Sequence, residues 1–209
     1  MRIEQIPPSW QRELVSPAYI VGPVVTLRHI SLGFSRDEIA RLFRWGQDEE
    51  LQYWSGSVPS AGTLAQFEAD VATWAHHRDA RRDRYAILEG NKQFLGMVSY
   101  YNLNFEQLTA ELGIYIGERD NWGKGMGTEA ILTLLSHLFV NTDLESMYLT
   151  TYASNARAQT CYHKCGFEVI GTMRKFSGRI GYYVDVQMRT TRSAFLRRFG
   201  WRPLTVYGR

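Results

Sequence analysis

The sequence predicts a single mixed α/β domain, and three observations carry the prediction. The stretch AELGIYIG, from Ala110 to Gly117, alternates in polarity and reads as a half-buried strand. Beyond three closely set glycines the chain switches to a helical repeat, with Ile131, Leu134, Leu135, Leu138 and Phe139 on one stripe. Around this unit, strand-like and helix-like segments alternate with no internal repeat and no low-complexity linker. A chain of 209 residues, 44% apolar and 22% charged, can bury the core that such a domain needs.

Taken in order, the first 18 residues carry Pro7, Pro8 and Pro17 and predict an irregular arm. Tyr19 to Arg28 is β-branched and predicts the first strand. Ser35, with Glu38 three residues on, is a capping-box start for a helix that turns Ile39, Leu42 and Phe43 inward. A second helix is expected from Ser60 to near Arg78, with Leu64, Phe67, Val71 and Trp74 at helical spacing. Tyr85–Glu89, a turn at Asn91 and Phe94–Leu103 form a hairpin. In Ala110–Gly117, Leu112, Ile114 and Ile116 share one face, which sends Glu111 to the other with Gly113 and Tyr115. The helix after the glycines ends near Asn141. Met147–Thr151 is a short strand, Asn155–Lys164 a helix, and a strand pair runs from Gly166 through Met173 and from Tyr182 to Met188. The last segment, FLRRFGWRPLTVYGR, is aromatic and basic without a clear period.

Charge and composition exclude several classes. A net charge of +3 arises from scattered residues, and the basic runs Arg81-Arg82-Asp83-Arg84 and Arg197-Arg198 are short, so no nucleic-acid partner is expected. No signal-like start and no apolar run of about 18 residues is present, so no membrane partner is expected and the cytoplasm is the default address. Cys161 and Cys165 lie four apart on one helix face without further ligands, which predicts reduced thiols and no metal. His76 and His77 stand among charges and are expected to be exposed.

The glycines pose the functional question. In RDNWGKGMGTEA, Gly123, Gly125 and Gly127 stand between a strand and a helix start, where first-turn amides and the helix dipole favour an anion. Thr128 adds a hydroxyl and Lys124 a charge, so a phosphate is the natural guest. The spacing matches neither a P-loop nor a dinucleotide fingerprint. A purely structural tight turn is the alternative.

Downstream, SNARAQTCYHKCGF sets Asn155 at a helix start with Ala156 and Ala158 on a small-residue face. Tyr162 follows seven residues later, on the face of Asn155. With Trp122-Gly123-Lys124-Gly125-Met126-Gly127, this pattern resembles the GNAT N-acetyltransferases. Within them it is most similar to the branch with ribosomal-protein alanine and spermidine acetyltransferases. The resemblance implies an α/β (α+β) GNAT fold: one mixed, mostly antiparallel sheet of about six to seven strands, splayed at its centre and flanked by about four helices. It spans residues 24–190, which leaves 1–23 as an N-terminal arm and 191–209 as a C-terminal tail. Trp122 departs from the family pattern, which has Arg or Gln there.

The resemblance further implies acetyl-CoA as co-substrate, held by Ile114, Tyr115, Ile116, Gly117, Trp122, Gly123, Lys124, Gly125, Met126, Gly127, Thr128, Asn155, Ala158 and Tyr162. It assigns Tyr162 as the acid for the leaving thiolate and a backbone N–H at Ile116-Gly117 to the oxyanion. Glu111 is the candidate base for the amine; the alternative is a solvent-facing glutamate. The expected activity is acetyl transfer to a primary amine, such as a protein N-terminus or a small amine, by direct attack in a ternary complex. A non-catalytic acyl-CoA sensor is the rival class. Asp185 is a candidate for orienting the amine, and acidic Asp48, Glu49 and Glu50 are candidates for attracting it. Specificity is expected near Trp45, Tyr53, Trp54 and Trp74, and the aromatic tail is a candidate homodimer contact.

Overall fold

A computed structural model describes residues 16–57, 59, 61–74, 79, 81–90 and 92–208. Most of the N-terminal arm, the His76-His77 pair, the last turn of the second predicted helix and the turn at Asn91 lie outside the described residues.

The strands are β1 Tyr19–Val21, β2 Val25–His29, β3 Asp83–Glu89, β4 Gln93–Asn104, β5 Thr109–Ile116, β6 Ser146–Tyr152, β7 Glu168–Ser177, β8 Gly181–Thr191 and β9 Thr205–Tyr207. They form one sheet in the order β7-β8-β6-β5-β4-β3-β2-β1-β9. Every neighbouring pair is antiparallel except β5 and β6, which are parallel. The helices are α1 Arg36–Gln47, α2 Glu49–Trp54, α3 Leu64–Trp74, α4 Met126–Asn141, α5 Ala156–Lys164 and α6 Arg192–Phe199.

Two strands and two helices exceed the expectation. Tyr19–Arg28 divides where Gly22 turns the chain and its N–H donates to the Val25 carbonyl at 2.9 Å. A side chain at Gly22 would overlap the Thr133 hydroxyl. The patternless tail supplies α6 and β9, and β9 adds to β1 with Tyr19 opposite Tyr207. The sixth helix, α2, is a short one capped by Asp48, whose carboxylate accepts from the Leu51 amide at 3.0 Å.

Each face of the sheet carries its own core. The α4 stripe packs on one, where Ile131, Leu134 and Leu135 meet Leu27, Ile87, Val98 and Leu112. Each such buried side chain contributes about 1.5–3 kcal/mol. On the other face Leu42 and Trp45 of α1 and Leu51 of α2 pack on Ala86, Phe94 and Met97. The predicted capping box starts α1: the Glu38 amide donates to Ser35 Oγ at 3.3 Å and the Ser35 amide to Glu38 Oε2 at 2.8 Å. So α4 lies beneath the sheet centre while α1, α2 and α3 lie above it, and a cleft opens between these layers where the sheet parts.

Candidate active site

The parting lies between β5 and β6. Their ladder runs from Thr109↔Ser146 to Glu111↔Tyr148 and then stops, although both strands continue. On the other side β5 stays paired with β4 up to Ile116, and the Gly117 amide then donates to the Leu95 carbonyl at 2.8 Å. Antiparallel hydrogen bonding alternates, so the residues facing the parted edge are Ile114 and Ile116. The Ile116 carbonyl takes the Trp122 indole N–H at 2.8 Å. Of the strand ending at Ile116-Gly117, the Gly117 N–H is already spent on β4, which leaves the Ile114 and Ile116 amides as the donors at this edge. Gly117 is constrained instead by packing, since a Cβ there would overlap the Trp45 ring.

The glycine turn divides its work. Gly123 and Gly125 adopt φ of +74° and +88°, conformations that other residues rarely take, and a Cβ on either would meet nothing within 4 Å. Gly125 caps α4 without a side chain, and the first intrahelical bond runs from the Glu129 amide to the Gly125 carbonyl at 3.0 Å. The amides of Met126, Gly127 and Thr128 therefore have no acceptor within the helix. Gly127 has ordinary φ and packs close, with Cys161 Sγ 3.8 Å from where a Cβ would stand. Lys124 and Met126 are not in the cleft wall: Lys124 is exposed and Met126 packs against the core.

Across the cleft, Asn155 caps α5, its Oδ1 accepting from the Ala158 amide at 3.1 Å. Asn155, Ala158 and Tyr162 all line the cleft, as their spacing predicted. Burial drives the Tyr162 phenol well above the ordinary tyrosine range, so it stays protonated. Its ring stands edge-on to Phe167, centroids 6.1 Å apart. Cys161 also reaches the wall, with Thr128 Oγ1 3.3 Å from its sulfur, while Cys165 is buried.

Glu111 occupies the last paired position before the strands part, but its carboxylate accepts from Asn102 Nδ2 at 2.9 Å and is not in the wall. Asn102 and Tyr101 are, so Glu111 stands behind them. The buried Asp185 is bound by Lys175 at 2.6 Å, on neighbouring strands, outside the cleft wall. Two of the three acidic candidates are paired, since Arg119 holds Asp48 at 2.8 Å and Glu50 at 2.6 Å, while Glu49 is exposed and none of the three is in the cleft wall. Of the four aromatics named with the early helices, Trp45 is core, Tyr53 stacks with Trp54 and Tyr152, and Trp54 and Trp74 line the cleft.

Sequence reasoning missed the basic wall. The Arg157 guanidinium lies over the Trp122 ring at 3.5 Å, so the indole that replaces Arg or Gln carries a cation on its face. Arg81, Arg82 and Arg84 line the opposite arm of the cleft. The signal was available for Arg84, which shares a strand face with the buried Ala86 and Leu88. In all, the cleft encloses about 1090 Å³ and joins the glycine turn, the parted edge and the aromatic arm. Among the described residues no group of three His, Cys, Asp or Glu could hold a metal, and no helix is long and apolar enough to cross a membrane.

Comparison with known proteins agrees with this geometry. Over 124 residues, 59% of this chain and 71% of the relative, the sequence is 28% identical to spermidine N(1)-acetyltransferase of Vibrio cholerae. It is 24% identical to aminoglycoside N(6')-acetyltransferase type 1 of Klebsiella pneumoniae over 83% of this chain and 86% of that one. A crystal structure of the Vibrio cholerae spermidine enzyme in complex with CoA and spermine superposes with a TM-score of 0.69 at 22% identity, covering 82% of this chain and 98% of that one. The model of the acetyltransferase (GNAT) domain matches residues 25–168, the span that holds the parted strands, the glycine turn and the Asn155–Tyr162 helix, and the chain belongs to that family.

Proposed function

We propose that the protein is an acetyl-CoA-dependent N-acetyltransferase that acetylates a primary amine by direct attack in a ternary complex. The observation that carries this reading is the parted β5 edge leading to the unpaired first-turn amides of α4. Acetyl-CoA supplies an activated acyl group, an extended amide-bearing arm and a pyrophosphate. Ile114 and Ile116 offer that arm a strand edge, and the turn from Gly123 to Thr128 offers the phosphates N–H donors with no Cβ at its three glycines. The Ile114 amide, beside the parting, is placed to donate to the carbonyl oxygen as charge develops on it.

Proton movement falls to two residues. Glu111 takes the proton of the acceptor ammonium through water, because Asn102 and Tyr101 stand between its carboxylate and the cleft. Tyr162 gives its proton to the departing thiolate: burial keeps the phenol protonated and so available as a donor, and because a phenol lies above a thiol the transfer is uphill and is completed by reprotonation of the phenoxide from water. The ammonium loses two protons in all, one through Glu111 before attack and one as the amide forms; the thiolate gains one, by way of Tyr162, and the other passes to water. Thiol release from acetyl-CoA, followed over a panel of amines and N-terminal peptides, tests the reading. Tyr162→Phe should lower kcat by about 10²-fold or more while acetyl-CoA affinity, measured by calorimetry, stays within twofold. Release from no amine, with acetyl-CoA still bound, would make the protein a sensor of the cofactor.

A further inference from the structure

Spermidine and the aminoglycosides, the substrates for which the relatives above are named, are polycations, yet the arm of this cleft beyond the parted strands is basic. Arg81, Arg82 and Arg84 line it, with Asp79 as the acidic residue beside them. Asp79 is paired to Arg82 at 3.2 Å. Arg84 is half-buried, its guanidinium 5.8 Å from the Trp74 ring; Asp79 and Asp83 accept from the backbone amides of Arg81 and Arg84, but among the described residues no carboxylate forms an ion pair with either guanidinium. Burial, with Arg82 nearby, pulls its pKa down, yet an arginine remains charged at any working pH. A half-buried cation without a counter-ion costs free energy that an anionic ligand would recover.

Register fixes where that anion would sit. Arg84, Ser99 and Gly113 stand in one row across β3, β4 and β5, and two residues along the same face the next row brings Tyr101 opposite Glu111. The α-carbons of Arg84 and Glu111 are thus on the order of 12 Å apart. Between them Gly113 has no side chain and Ser99 a short one, its Oγ donating to the Gly113 carbonyl at 3.4 Å, while the Tyr101 ring leans over Gly113, 3.1 Å from where a Cβ would stand, and walls the gap on the Glu111 side. An arginine spans much of that distance, so the gap suits an amine and an anion carried on one compact molecule. Of the acidic groups that could have favoured a polycation, Asp48 and Glu50 are already held by Arg119, and Glu49 is exposed and does not line the cleft.

We infer that the acceptor is an amine that bears a carboxylate, an amino acid or short peptide, with its amine presented towards Glu111 and its carboxylate bound by Arg84. This rests on the transferase reading above. The test compares thiol release with the dipeptide Ala-Ala, its C-terminal amide, spermidine and kanamycin. The expected result is a kcat/KM for Ala-Ala at least tenfold above that of its amide and above both polycations, with Arg84→Gln reducing the acid-to-amide ratio to near one and Arg84→Lys restoring part of it. Faster turnover of spermidine or kanamycin, or an acid-to-amide ratio unmoved by Arg84→Gln in a variant that melts like the parent, would overturn it.

A binding arm separates the two failures. If no amine releases thiol, the transferase reading falls, and calorimetry with N-acetyl-Ala-Ala in the presence of CoA judges the carboxylate site alone. Binding lost in Arg84→Gln sustains the site; no binding to the parent protein removes it.

Discussion

Cys161 shows how much one side chain's chemistry depends on its immediate partners. The neighbouring Cys165 sulfur favours the Cys161 thiolate and outweighs burial, which acts the other way; Thr128 and Lys164 add to the first effect, and the thiol is pulled below the ordinary cysteine range. Cys165 is pushed the opposite way by the same contact. Cys161 is therefore the more readily ionised of the two thiols, and it stands in a cleft wall that reagents can reach. Alkylation by iodoacetamide, read by mass spectrometry, should modify Cys161 with a rate that rises through pH 7, leave Cys165 unmodified there, and slow on addition of acetyl-CoA. This thiolate was not legible in the sequence, where four-residue spacing fixed a shared helix face but not which sulfur would be stabilised. Glu111 divides in the same way: alternation predicted its face, while the Asn102 amide that turns it from the cleft comes from the irregular end of β4, where Asn102 has φ of +53°.

At the level of elements, the α4 N-terminus separates conformational need from ligand need. Gly125 sits at φ of +88°, so Gly125→Ala should destabilise the protein by about 1–2 kcal/mol, a melting shift of roughly 2–8 °C. Gly127 has no such constraint, and a methyl group there would make ordinary van der Waals contact with Cys161 and Ile116, so Gly127→Ala should melt within about 1 °C of the parent. If phosphates lie over its amide, the same substitution should weaken acetyl-CoA binding roughly tenfold, about 1.4 kcal/mol. Thermal scans with and without acetyl-CoA read both effects at once. Elements such as α4, α5 and the β3–β4 hairpin were legible because their signals are local: period 3.6, period 2, and turn residues between. The elements that escaped depend on distant partners. β9 is a strand because β1 accepts it, and α6 is held by Phe195, buried against Phe139 of α4 at 5.4 Å. Six residues reading EELQYW are too few to show a helical period, so α2 stayed hidden as well.

For the molecule as a whole, acid stability should hinge on His137. It lies buried in α4, 3.2 Å from Asn141 Nδ2, and burial lowers its pKa to about 4 against about 6.5 in the unfolded chain. The unfolded state binds the extra proton between those values. The stabilising contribution is therefore complete above pH 6.5 and is lost as pH falls towards 4, on the order of 3 kcal/mol in all. Urea unfolding at stepped pH should show this slope in the parent protein and a shallower one in His137→Gln.

The parted strands carry a thermodynamic consequence of their own. A sheet whose ladder stops between β5 and β6 has its backbone hydrogen bonding interrupted at the centre of the molecule. A co-substrate lying along Ile114 and Ile116 would act as a bridging strand, and by mass action the folded state would gain about 2.7 kcal/mol when its concentration is a hundred times the dissociation constant. Supply of the acyl donor and lifetime of the enzyme would then be linked: a cell short of acetyl-CoA would hold not only an idle catalyst but a looser one, more open to proteolysis.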